Sequence, residues 1–322
     1  MSPSPAAVAH QRARERLAVA AGRAAVRLWR QADPQDIRGS WLPLLVRLVA
    51  IVSGAQMAAA ESTEPWLTRL LGDEDPDRPG ADMVNAAMLA GVSGEGLPLA
   101  EVLAAPMWSA FRMVTAGAPV AQAMARGSAL VDVIARTAVA DAGRAADQVG
   151  MVTRPSVTAY IRVTESGACS RCLVLAGKEY GTSSGFLRHP RCTCGMEPVT
   201  RDHKPSAQDP RKLVEAMSDA QRKRTFGEAG AKAIAEGADL GLLVNARRGM
   251  ATATVFGRKV LATTEGTTSR GIAGKRLQDL QKVRGQRYRV SRTPRLMPEE
   301  IFRIADDRAH AVRLLRQHAY IF

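Results

Sequence analysis

The residues best suited to chemistry in this chain of 322 residues are four cysteines and one histidine, all between positions 169 and 194. Cys169-Ser170-Arg171-Cys172 is one pair. Cys192-Thr193-Cys194 is the second, preceded by His189-Pro190-Arg191. Two thiolates from one tight turn and two groups from another is the usual build of a structural zinc site. If the segment 191–195 is extended, Cys192 and Cys194 face the same side, because residues i and i+2 do so on a strand. His189 is the alternative fourth ligand. The competing reading is four reduced thiols packed as small apolar groups. A closed four-ligand site is a scaffold, since catalytic zinc keeps a position open and a base close by. No His-Glu-x-x-His is present, and nothing marks Glu179 or Glu197 as a base.

Other strings are weaker. Gly181-Thr182-Ser183-Ser184-Gly185 matches Gly-x-Ser-x-Gly, but a nucleophile elbow needs a strand before it and a helix after it. Gly271-Ile272-Ala273-Gly274-Lys275-Arg276 resembles a phosphate loop and fails it, with Ser269 and Arg276 where Gly and Ser or Thr belong. Lys275, Arg276, Lys282, Arg284, Arg287 and Arg289 form the centre of a basic run in which Tyr288 is the one aromatic. Without interleaved aromatics, base stacking is disfavoured. Sequence-independent contact with phosphates, as on double-stranded DNA, is the expected chemistry. A solvated face or a surface for an acidic protein is the alternative.

Apolar residues make up 46% of the chain and aromatics 4%, with alanine abundant, which favours packed helices over a β-sandwich. The net charge of +14 is uneven: residues 201–322 hold 25 basic and 13 acidic side chains, residues 1–200 hold 20 and 18. An acidic partner therefore belongs to the last third. Helical patterns cover Ser4 to Gln31, a stretch after Asp33-Pro34-Gln35-Asp36, Leu99 to Ala116 and Val120 to Gln148. Gly72 to Gly80 reads as a polar loop. The apolar window Trp41 to Ala60 contains Pro43, Arg47 and Gln56 and reads as a buried helix, not a membrane span. No secretory leader is visible, so the cysteines are expected in a reducing cytosol, where clustered thiols bind metal more often than they pair. Ser156 to Thr164 reads as a strand, 211–237 as helix, Ala251 to Thr264 as β and Pro298 to Tyr320 as a closing helix. The expected fold is α+β and predominantly α-helical. It has a helical N-terminal domain (1–150), a small Cys/His-stapled module (151–204) and a basic C-terminal region (205–322).

One resemblance spans the module. Cys169-x-x-Cys172-Leu173-Val174-Leu175-Ala176-Gly177-Lys178, Gly185-Phe186, His189-Pro190-Arg191-Cys192-Thr193-Cys194 and Glu197-Pro198 resemble the motif of the phage Mu F-like minor capsid (head morphogenesis) family. The run from Met217-Ser218-Asp219-Ala220-Gln221 to Thr263-Thr264-Glu265-Gly266-Thr267-Thr268 is similar to the form found in actinobacterial phages and prophages. The resemblance implies a structural, non-enzymatic minor head protein that acts with portal and capsid proteins. It would sit in the host cytoplasm during assembly and then in the virion, with no membrane partner. A capsid maturation protease and a toxin-type C-terminal domain are the alternatives from other classes.

Overall fold

The computed structural model describes residues 3–72, 83–165, 167–255 and 257–322; most of the loop expected at Gly72 to Gly80 lies outside them. Among the described residues helices take 56% and strands 11%, in three small sheets, which is the predominantly helical α+β class expected. The chain forms two compact units, one of residues 1–165 and 176–208, the other of residues 166–175 and 209–322.

In the first unit, α1 (Pro5–Trp29) starts where Ser4 accepts from the Ala7 amide and Pro5 takes the first turn. The second start differs from expectation. Asp36, not Asp33, caps α2 (Ile37–Glu61) by accepting from Gly39 N, while Asp33 closes a local turn onto Gln35 N. Then follow α3 (Thr63–Leu71), α4 (Leu99–Thr115) and α5 (Val120–Val152). α1, α2 and α4 all pack on α5. Trp29 and Trp41 meet edge to face at 4.8 Å in the core, and each indole N–H finds a carbonyl, of Met124 and Leu103. Trp29 fits because position 127 on α5 is glycine: a Cβ there would lie 2.1 Å from the indole.

The expectation that Trp41 to Ala60 is buried is corrected in part. Trp41, Leu45, Leu48, Val52 and Ala59 face the core, but Leu42, Val46 and Met57 are exposed. The stretch Ile37–Leu71 is long and apolar enough to cross a membrane by length and composition, and 28% of its most apolar window is buried.

Charge is buried in this unit as well. The Asp147 carboxylate accepts from Arg14, from Thr63 at 3.2 Å and from His10 Nε2 at 3.1 Å, and His10 stacks on Trp66 at 4.1 Å. Burial opposes the charge on Asp147, but Arg14 and His10 outweigh it and hold the carboxyl below its usual range. Beyond α5, an antiparallel sheet has the order β2-β1-β3, with β1 (Ala159–Val163) central and wholly buried, β2 (Glu179–Gly181) on one side and β3 (Gly195–Val199) on the other. Buried Glu197 of β3 accepts from Ser4 N and His203, which fixes the start of α1.

In the second unit, α6 (Ser170–Leu173) is a single turn. The helix expected over 211–237 is three: α7 (Pro210–Glu215), α8 (Asp219–Phe226) and α9 (Glu228–Ala235). Ser218 and Gln221 form a reciprocal capping box that starts a new helix, while Gly227 at φ 77° ends it. α10 (Leu240–Ala246) leads into the hairpin of β4 (Met250–Val255) and β5 (Arg258–Thr263). After α11 (Ile272–Leu277), β6 (Leu280–Gln281) and β7 (Val290–Ser291) pair, and β8 (Arg295–Leu296) joins β5. The closing helix is two, α12 (Pro298–Ile304) and α13 (Arg308–Gln317), because Asp307 caps a fresh start onto His310 N.

Buried Arg295 locks the C-terminal end: it donates to the carbonyls of His318 (2.8 Å), Ala319 (3.2 Å) and Glu265 (3.0 Å) and lies over the Tyr320 ring. His318 Nδ1 accepts from Leu296 N, a bond that a protonated ring loses. Burial, with Arg295 adding, pushes His318 down to about 4 from 6.5. The folded state thus holds its proton less tightly than the unfolded chain. The stabilisation from neutral His318 is complete above pH 6.5 and lost as pH falls towards 4. Denaturant unfolding over that window should show a loss on the order of 3 kcal/mol from this group. His318→Asn, whose amide oxygen can accept the same bond, should flatten the slope by that amount.

Candidate metal centre

In the first unit, Cys192 and Cys194 stand just before β3, and both are buried. Nη2 of Arg162 lies 3.4 Å from Cys194 Sγ and 3.8 Å from Cys192 Sγ, so the two sulfurs face one guanidinium. Arg162 sits in buried β1, packs over the Phe186 ring and donates to Leu187 O. A cation beside sulfur favours thiolate, the form that binds metal.

The segment that carries these thiols is clamped to α5 by arginine and aspartate. Arg144 donates to Cys192 O at 2.9 Å and to Cys194 O at 3.4 Å, and it bonds Asp141, which also takes Arg188 at 2.7 Å. About two and a half turns of α5 before Asp141, Asp132 takes both Arg136 and Arg191. Arg191 has φ 62°, an uncommon conformation for a side-chain-bearing residue, and its amide donates to Thr137. His189 Nδ1 donates to Pro190 O at 2.8 Å, which leaves Nε2 with the lone pair that a metal needs.

In the second unit, Cys169 precedes α6, and the Cys172 amide donates to Cys169 O. Cys169 is exposed and Cys172 buried. Of the five ligands anticipated from the spacing, the first unit carries His189, Cys192 and Cys194 and the second carries Cys169 and Cys172. Arg162, Arg144, Asp132 and Asp141 were not anticipated. The one available signal was an arginine in the middle of the β-branched strand 156–164.

The other motifs take different places. Ser183 is exposed and follows the three-residue strand β2 with no helix after it, so the Gly-x-Ser-x-Gly string is not a strand-to-helix elbow. Lys275, Arg276, Lys282, Arg284, Arg287 and Arg289 are all exposed, the last four on the loop between β6 and β7. Two of the six have structural duties. Arg276 donates to the carbonyls of Arg316 and Ile321, and Lys282 to those of Gln286 and Arg287. Tyr288 is flanked by the guanidiniums of Arg270 and Arg287 at 5.0 and 5.4 Å. Compared with known proteins, the chain matches no family model, no curated protein and no solved structure.

Proposed function

We propose that the chain is a structural minor head protein of a tailed phage or prophage, stapled by one zinc ion, that assembles with portal and capsid proteins. The observation that carries this reading is the Cys169-x-x-Cys172 … His189-Pro190-x-Cys192-x-Cys194 motif, two of whose thiols, Cys192 and Cys194, are buried beside one guanidinium in the first unit. Thiolate and imidazole donors suit zinc. A zinc with four thiolates carries a charge of about −2, and buried Arg162 offsets part of it. When bound, the ion supplies cross-linking, and this chain's residues orient its ligands: Arg144 holds the Cys192 and Cys194 carbonyls, and Pro190 O fixes the His189 tautomer. In this reading the protein is in the host cytoplasm during assembly and in the head thereafter. Mass spectrometry of purified particles should find it at low copy. Its absence from particles whose assembly requires the gene would defeat the structural reading.

Metal analysis of the purified chain should give about one zinc per chain. Cys172→Ser should lower both the zinc content and the melting temperature. A fully folded, metal-free protein would rule the staple out.

The exposed basic loop between β6 and β7 fits packaged double-stranded DNA through phosphate contacts. The full chain should bind duplex DNA at low salt without sequence preference and release it as salt rises. Replacing Lys275, Arg284, Arg287 and Arg289 with Gln leaves the carbonyl-binding Arg276 and Lys282 intact. It should flatten the salt slope by about 3.6 if all four side chains touch phosphate. An unchanged slope would assign the surface to an acidic protein instead.

A further inference from the structure

The outer face of α2 carries an apolar seam. Pro43, Val46, Ala50, Gly54, Met57 and Glu61 are all exposed, at alternating steps of three and four residues, on the side opposite Trp41, Leu45, Leu48 and Val52. No acid stands between Ile37 and Ala60. Arg47 is the one charge in the middle of the helix, with Arg38 at the start and Glu61 at the end. The Arg38 guanidinium lies over the ring of exposed Trp108 at 5.9 Å, so the apolar surface continues onto α4.

Gly54, in the middle of this seam, is not required by the chain's own packing. A Cβ on Gly22, Gly39, Gly127, Gly143 or Gly150, the other helical glycines of this unit, would lie 3.1 Å or less from a neighbouring side chain. A Cβ on Gly54 would have no described atom within 4 Å. Glycine is the poorest helix former after proline, so position 54 carries a helix penalty that no contact in the chain offsets. A second helix lying against it uses the missing side chain, because glycine lets two backbones approach closely. A lipid surface does not, since glycine and alanine offer it little apolar area.

We propose that two copies of the chain dimerise through this face, α2 against α2, antiparallel about a twofold axis at Ala50. Residues equally far before and after Ala50 then stand level, and the seam is self-complementary. Val46 of one copy comes level with Gly54 of the other, Met57 with Pro43, and Ala50 with Ala50. Long side chains thus meet short ones, as packing of ridges into grooves requires. Glu61 comes level with Gly39 and within reach of Arg38, and the two helix dipoles lie head to tail. A parallel pair would set Arg38 on Arg38 and Arg47 on Arg47, and would leave the two copies of Gly54 facing across a gap. Charge and size both select the antiparallel form. The inference does not rest on the metal or on the phage reading.

Sedimentation of the full chain under reducing conditions, across concentration, is the test. The wild type should run as a dimer at about 100 µM and as a monomer at about 0.1 µM. Gly54→Leu should weaken the dimer about a hundredfold, because the twofold axis places the overpacking at two positions. At a dilution where both proteins are monomeric it should melt no lower than the wild type, since its Cβ meets open space and leucine is a better helix former. Val46→Arg, at a position 72% exposed, should abolish the dimer and leave the melting temperature of the monomer unchanged. Glu61→Arg should weaken the dimer about fivefold, and Arg38→Glu added to it should restore the affinity, neither of which a parallel pair would show. Two results would overturn the proposal: a dimer that neither Gly54→Leu nor Val46→Arg weakens, or a wild type that stays monomeric at every concentration. In the second case, sedimentation with phosphatidylglycerol vesicles that Val46→Arg abolishes would assign the face to a lipid surface instead.

Discussion

Charge buried on α5 constrains the first unit more than any apolar contact does. Asp132, Asp141, Arg144 and Asp147 are all buried along this one helix. An ionised group taken out of water must be paired or it unfolds its surroundings. Each of these side chains therefore dictates a neighbour: Asp147 takes Arg14 and His10 of α1, Asp141 and Asp132 take Arg188 and Arg191 of the cysteine loop, and Arg144 takes two carbonyls of that loop. The apolar seam of α1, α2, α4 and α5 supplies the bulk of the burial, yet alanine faces permit several helix registers. The ion pairs permit one. They also explain how a loop with little regular structure holds two sulfurs beside Arg162.

The helices were legible because alanine and leucine recur at helical spacing and because Ser4, Asp36 and Ser218 are caps with side-chain oxygens. Where the reading slipped, two signals of equal strength competed. Asp33 and Asp36 both suit a cap, and only the packing of Trp41 and Leu45 decides which turn begins the helix. The stretch that forms α7, α8 and α9 carries its own break signals, a capping serine at Ser218 and a glycine at Gly227, and the helical pattern over 211–237 runs through both. The two faces of α2 were not separable, because its exposed side bears Leu42, Val46 and Met57 just as its buried side bears Leu45 and Leu48.

The candidate site was legible to the level of its ligands and no further. Cysteine and histidine spacing is local, so sequence reveals it. The arginines and aspartates that orient the ligands come from α5 and β1, dozens of residues away, and their charges look in sequence like any solvated helix face. The basic run shows the reverse error: a charge-rich stretch reads as one surface, yet Arg276 and Lys282 spend their donors on backbone carbonyls.

The lock at the far end of the second unit bears on how the chain is made. Arg295 and Arg276 hold carbonyls of residues 316, 318, 319 and 321, and Leu315, Ala319, Tyr320 and Ile321 are core residues. A nascent chain still inside the ribosome at residue 321 lacks the partner for both guanidiniums, and β8 has no covered tyrosine to close over. The first unit has no such dependence, and it is free to fold during synthesis. The second must wait for residues 316–321 to emerge, so a ribosome stalled before them, or a protease cutting just ahead of them, would leave one folded unit joined to one open, strongly basic one.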